Sequence, residues 1–370
     1  AAGVTATGRT AAPEIVVAVE AKDDKKARTG LARITAAADQ HFGVAFRGGY
    51  ALLAERQDIA DRAVADDGKG TLADNTQFRG DMKLLGGQGV SSGWADLAKL
   101  ARLAGSSLPM ASQNFGAQAR LSYTVRFTSD SVEAVAKVIG DTSGYSAPAA
   151  GGPSIGDLPA STAVAVEVNG VDKSIDRGWK AFRSNLSQLG STGSGPTPDD
   201  LVTQFSEEFG LTLPADLKVL FGSQLLVAVD FVGPSAGPRI AARARTDGAA
   251  AAAVLAKLRN SVALKGSSWP LTSQRTPDGI AVATSPDYLK TVLSRSGATL
   301  ASDKNFRAAV PDAARPDVTA YANLDAIAQA MRRGGASADD LKAISAFRAL
   351  GASSSTDNGV GTFRVRLLAH

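Results

Sequence analysis

Side chains able to do chemistry are few and scattered along this 370-residue chain. It has no cysteine, which removes disulfides, thiolate nucleophiles and sulfur-ligated metals. The histidines are His41 and His370. A serine-type triad needs a base oriented by an acid and set against a nucleophile. Asp39 lies two residues before His41, but nothing there frames a nucleophile, and the stretch reads as the polar end of a helix. His370 is the last residue, where an expression tag would sit.

Carboxylates remain, and they suit Ca²⁺ or Mg²⁺. Acidic pairs occur at Asp66-Asp67, Asp199-Asp200, Glu207-Glu208 and Asp339-Asp340. The second and fourth follow Thr197-Pro198 and Ser337-Ala338, so they read as first-turn acids of capped helices. Asp66-Asp67-Gly68-Lys69-Gly70 lacks the alternating acids and closing Glu of a calcium loop. A phosphate cradle needs Gly-x4-Gly-Lys-Ser/Thr after a strand. Gly68-Lys69-Gly70-Thr71 has the wrong order, and Gly86-Gly87-Gln88-Gly89 and the glycines of residues 190–195 read as loops. The sequon Asn185-Leu186-Ser187 falls inside a predicted helix, where chance accounts for it. These residues predict no catalytic site, no metal site and no cofactor, and they single out no binding residue.

Net charge is +4 and the isoelectric point about 9.2. Nucleic-acid binding wants a basic stripe. The densest groups, Lys25, Lys26 and Arg28 and the pair Arg332 and Arg333, read as solvated helix faces, so no nucleic-acid partner is expected. Apolar residues make up 44% and charged residues 21%, enough to bury a core and contrary to disorder. No apolar run reaches the roughly 18 to 20 residues of a membrane span. The chain opens at Ala1 without Met or a basic-then-apolar signal, and a segment upstream is expected.

The elements carrying these residues repeat. Thr71-Leu72-Ala73-Asp74-Asn75-Thr76-Gln77-Phe78-Arg79 aligns with Thr299-Leu300-Ala301-Ser302-Asp303-Lys304-Asn305-Phe306-Arg307. The flanks agree in order. Residues 13–19 match 238–244, Tyr50–Ala54 matches 280–284, 90–97 matches 318–324, and Arg120–Phe127 matches 363–367. The expected fold is therefore α+β: a tandem duplication of a mostly antiparallel sheet-plus-helices unit. The first unit spans residues 1–140, a Gly/Ser/Pro/Ala linker 141–156, and the second unit 157–370. The second opens with a strand over residues 158–168 and a helix over 172–189, closes that segment with a strand over 225–230, and carries a helix over 249–262 and another that starts at Ser285-Pro286-Asp287. The first has only the stub Gly3-Val4-Thr5-Ala6, so it lacks its opening strand and helices. Shared Phe78-Arg79 and Phe306-Arg307, with Trp94 at the place of Tyr321, are expected to serve the fold. Trp179 and Trp269, which have no counterparts, are the better surface candidates.

The blocks Leu158 to Ala163, Thr71 to Arg79, Ser92 to Leu97 and Thr362 to Leu367 resemble an actinobacterial family named only for its domain of unknown function (number 3352). Its members carry a short cytoplasmic segment, one membrane-spanning helix and a large extracellular region. The resemblance implies a membrane-anchored or secreted ectodomain at the outer face of the cell membrane, with no catalytic residues to carry over. The expected activity is non-enzymatic binding of a protein, glycan or other envelope component. The alternative is a carrier for lipid or another hydrophobic ligand.

Overall fold

The computed structural model describes residues 2–5, 14–38, 42–65, 71–87, 89–104, 118–140, 154–190, 197–231, 237–264, 271–294, 297–310, 316–342 and 344–370. The pairs Asp39/His41 and Asp66-Asp67, most of the predicted linker, and Trp269 lie outside them.

The fold is α+β. A four-stranded sheet contains β1 (Ala2–Thr5), β2 (Glu14–Glu20), β3 (Gly43–Arg47) and β4 (Tyr50–Ala54), in the order β1-β2-β4-β3, all antiparallel. Gly48 and Gly49, at φ +55° and +79°, form the tight turn between β3 and β4, a conformation that costs glycine least. Around this sheet lie α1 (Asp24–Ala38), α2 (Gln57–Ala65) and α3 (Thr76–Leu84). Ile59 and Ala60 of α2 pack with Ala54, Val16 and Ala45 in a small core.

The remaining strands form an eleven-stranded sheet. They are β5 (Ser91–Asp96), β6 (Arg120–Phe127), β7 (Ser131–Ile139), β8 (Val164–Asn169), β9 (Gln224–Phe231), β10 (Pro238–Arg245), β11 (Thr272–Thr276), β12 (Gly279–Ala283), β13 (Val318–Asn323), β14 (Phe347–Asp357) and β15 (Val360–Ala369). Their order is β11-β12-β10-β9-β8-β13-β14-β15-β7-β6-β5. The β7–β15 pairing is antiparallel, from Ser131↔Leu368 to Ile139↔Val360. Asn358 and Gly359, both at positive φ, turn β14 into β15.

Helices cover both faces of the sheet near β9. Beyond α4 (Leu97–Ala104), which follows β5, the helices are α5 (Val171–Gly190), α6 (Pro198–Phe209), α7 (Ala215–Phe221), α8 (Gly248–Arg259), α9 (Pro286–Leu293), α10 (Lys304–Ala309), α11 (Leu324–Arg333) and α12 (Ala338–Lys342). Side chains alternate across a strand, and β9 follows the rule. Leu226 and Ala228 join Tyr288 and Leu289 of α9 in the main core, whereas Leu225 joins Ala251 of α8 and Val219 of α7. Small residues at these contacts (Ala165, Ala228, Ala241, Ala281, Ala283) are all fully buried.

The predicted helix starts are observed. Thr197 and Asp200 form a capping box at α6, Ser285 caps α9 by accepting from the Tyr288 amide, and Ser337 and Asp340 exchange bonds at α12. Of the strand predicted over 158–168, only the part from Val164 onward is β8, preceded by a 3-10 turn at Ile155–Asp157; the predicted strand 225–230 is β9, and the predicted helix 172–189 is α5. The helix expected from residue 249 begins at Gly248, capped by Asp247, and ends at Arg259 before a short 3-10 turn at Val262–Leu264.

By chain contacts, residues 1–87 with 94–121 form one compact unit and 88–93 with 122–370 the other. The change falls at residue 121 because β7 is hydrogen-bonded to β15. Among the described residues, element order runs strand, helix, hairpin, helix, 3-10 turn, helix, strand, helix, hairpin from β2 to β7, and the same sequence recurs from β10 to β15, with α12 and 3-10 turns at Val262–Leu264 and Ile344–Ala346 added. This order sets Arg120–Phe127 against β14. The sequence alignment had set it against residues 363–367, which lie in β15, the second strand of the hairpin; both strands alternate arginine with apolar residues, so pattern alone does not separate them.

Candidate functional site

Most ionisable groups of the described residues are committed to local structure. Asp200 accepts from the Thr197 hydroxyl and amide at 2.7 and 2.9 Å, and these bonds hold its carboxyl below the ordinary carboxylate range. Asp340 is lowered in the same way by Ser337. Glu207 and Glu208 are exposed on α6. Asp317 is raised by burial, with the Thr356 hydroxyl donating to it at 2.9 Å. Among the described residues no group of three His, Cys, Asp or Glu side chains could hold a metal.

A buried polar cluster lies beside β5. Asp81 of α3 accepts from Arg120 Nε at 2.6 Å and from the Trp94 indole at 2.8 Å, and Arg120 Nη2 reaches its other oxygen at 3.2 Å. The bond to Asp81 raises the Arg120 pKa. Trp94 stands edge-on to Phe78, with ring centres 5.8 Å apart. Tyr321 stands edge-on to Phe306 in the same way, at 5.2 Å. Arg79 and Arg307 are both exposed, so the shared Phe-Arg pairs use their rings for packing and turn their cations outward. Trp179 stacks with Phe182 on α5 at 5.7 Å.

A cationic band crosses the sheet at β6, β7 and β15. Glu133 takes Arg366 Nε at 3.1 Å, with Arg366 Nη2 closer still, and has Arg364 and Arg126 at 3.7 and 3.9 Å. Lys137, one turn of the pleat along β7 from Val135, donates to Thr362 Oγ1 at 3.2 Å; burial and then the Arg364 charge lower its pKa. Arg366 Nη1 also donates to Ala308 O at 2.9 Å.

Ala308 lines an open pocket of about 640 Å³ with Lys304, Asn305, Asp325, Arg348 and His370. His370 Nε2 lies 3.2 Å from Asp325 Oδ1, and Arg348 bonds to Asp130 at 3.1 Å. Nothing local in the chain places His370 in a pocket, since its ion partner Asp325 lies 45 residues away and Lys304 further still.

On the opposite face of the same strands, alternation brings Tyr123 and Phe127 of β6, Ala134 of β7, and Phe363 and Val365 of β15 to the surface. All five are exposed, Phe127 by 62%. Val365 pairs with Ala134 and Phe363 with Ala136, so these side chains form one patch. Contiguous exposed apolar surface of this kind marks interaction sites. Polar-apolar alternation was legible in both strands, but which face lay uncovered depends on the sheet order.

Among the described residues no helix is long and apolar enough to cross a membrane. Comparison of the chain with protein-family models, with characterised proteins and with solved structures finds no match.

Proposed function

We propose that the chain is a non-enzymatic ectodomain at the outer face of a cell membrane, binding a protein or another envelope component, and built from two copies of one α+β unit. The observation that carries the binding role is the patch of Tyr123, Phe127, Ala134, Phe363 and Val365, aromatic-rich and open to solvent. Aromatic side chains supply much of the energy at protein interfaces. The duplication is supported by the matched order of elements and by the paired rings, Phe78 with Trp94 and Phe306 with Tyr321. The extracellular placement and anchor rest on the family resemblance of the motif residues alone.

A carbohydrate hydrolase would need two carboxyl groups about 5 to 10 Å apart across a cleft, and the carboxylates described above sit in caps and ion pairs. A lipid carrier would need a cavity that encloses most of its ligand; the pocket beside Ala308 is open to solvent and has the ionisable side chains of Lys304, Asp325, Arg348 and His370 around it. The binding module is therefore the reading the geometry favours.

Native mass spectrometry on protein purified from its own organism tests it, run in parallel on Phe127→Ser and Phe363→Ser. A partner retained by the natural chain and lost from both variants, with unchanged circular dichroism, is the expected result. A lipid-sized mass adduct retained by all three would favour the carrier instead.

A further inference from the structure

Leu72 and Leu300 hold the same place in the repeated Thr-Leu-Ala…Phe-Arg block, yet Leu300 is 0% exposed and Leu72 is 49% exposed. The difference has a visible source. The Leu300 amide donates to Leu158 O at 2.8 Å, Thr299 bridges to Pro159, and Ile155 and Leu158 share the core cluster of Leu300. That segment leads into β8, which runs antiparallel to β13 from Val318↔Val168 to Ala322↔Val164 and sets Ala165 opposite Tyr321.

Among the described residues the first half holds no counterpart of residues 154–169. β5, which matches β13 residue for residue from Ser91 and Val318 to Asp96 and Asn323, is the last strand of its sheet. β1, the counterpart of β9 on the other side of β8, is likewise terminal in its own sheet. Trp94, at the place of the fully buried Tyr321, stays partly exposed. Two signs, an exposed leucine and a strand edge with no neighbour among the described residues, mark the same place.

We propose that the outer edge of β5, together with Leu72, is a strand-acceptor site. Its occupant is an extended segment with the chemistry of Ser154–Asn169: an apolar 3-10 turn followed by a strand of alternating small and β-branched residues. The inference rests on the equivalence of the two halves proposed above. An edge strand offers a row of free backbone N–H and C=O groups, and an added strand satisfies them while side-chain pockets on alternate positions set specificity. Register is strict. Trp94 is fixed by its bond to Asp81 and by the Phe78 ring, so the residue opposite must be small, as Ala165 is opposite Tyr321. A slip of one position would put a valine there and turn the wrong face inward. The apolar turn then covers Leu72, as Leu158 covers Leu300.

A synthetic peptide of residues 154–170, added to the whole chain, tests the site by amide exchange and NMR. The amides of Ser92, Trp94 and Asp96, whose counterparts Thr319, Tyr321 and Asn323 face β8, should exchange at least about tenfold more slowly with saturable dependence on peptide, and the Leu72 methyl signals should shift. A nitroxide in place of Asn169 should broaden Ser91 more than Asp96, and one in place of Thr162 should do the reverse, since Asn169 lies beside Asp317 and Ala163 beside Asn323 in the second half. A peptide carrying Glu167→Pro, which removes an N–H directed at the acceptor strand, should do none of this. Unchanged exchange at high peptide concentration, or equal slowing by the proline peptide, overturns the proposal. So does protection with the two nitroxide effects exchanged, which would also show that β5 and β13 are not equivalent. Superposition of Ser91–Asp96 on Val318–Asn323 in an experimental structure checks that equivalence separately, so a failed peptide with a good superposition removes the acceptor site alone.

Discussion

Arg120 reaches Asp81 through two nitrogens, at 2.6 and 3.2 Å, and both side chains are withdrawn from solvent. Desolvating two charges is costly, and their attraction repays it only when the geometry is good. Here the Trp94 indole adds a third donor to the same carboxylate. Three residues after Phe306, where Asp81 follows Phe78, the second half has the buried Ala309. The packing scheme thus has an apolar solution as well as an ionic one.

Removing one partner strands the other. Asp81→Ala should lower stability by about 3 to 5 kcal/mol, and the double variant Asp81→Ala/Arg120→Leu should lose less than the sum of the two single changes. Urea denaturation of the four proteins gives the coupling; strict additivity would mean the two groups do not interact.

Gly222 and Gly170 both have positive φ, at +60° and +67°, but differ in space. A Cβ on Gly222 would meet Arg245 O at 2.0 Å, whereas one on Gly170 would meet nothing within 4 Å. Gly170→Ala should therefore cost only the left-handed backbone penalty of roughly 1 to 2 kcal/mol. Gly222→Ala should cost clearly more or prevent folding, as judged by the urea midpoint and soluble yield.

Glu133 is the carboxylate around which Arg126, Arg364 and Arg366 gather, with Lys137 on the same strand face. Glu133→Gln would leave like charges crowded on neighbouring strands, an arrangement that destabilises sheets. The variant should be less stable than the natural chain, and salt at about 0.5 M should narrow the gap by screening. A gap independent of salt would assign the loss to packing.

Asp130, Asp200 and Asp340 each titrate below their ordinary value of 3.8: Asp130 through Thr128 and then Arg348, the others through their capping hydroxyls. A lowered folded-state pKa means the charged form favours the fold. That contribution is complete above the unfolded value near 4 and disappears as pH falls through the lower folded values. Melting temperature should hold from pH 7 to about 5 and drop below about 4, with a shallower drop in Asp200→Asn/Asp340→Asn.

Local signals in the sequence located much of this architecture. Thr197-Pro198-Asp199-Asp200 and Ser285-Pro286-Asp287 fixed helix starts because a cap is a contact between neighbours in the chain. The Thr-Leu-Ala…Phe-Arg repeat located the two 3-10 turns and the helices after them. Asn358-Gly359 is a strong hairpin signal that the alignment left unused; it turns β14 into β15, so β6, the first strand of its own hairpin, belongs with β14. Long-range pairing was not legible. Nothing local tells Ser131–Ile139 to bond to β15, so neither the eleven-stranded sheet nor the apolar patch and cationic band on its two faces followed from pattern. His370 was out of reach for the same reason, since its pocket is assembled from α10, α11 and β14.

The pairing of Ile139 with Val360 and of Ser131 with Leu368 also sets a timetable for synthesis. At about 5 to 20 residues per second, β7 would leave the ribosome on the order of 10 to 40 s before its partner. During that interval its backbone edge is available to any other nascent chain. Lys137 and Glu133 on that strand place charges at the waiting edge, the kind of device that discourages premature pairing.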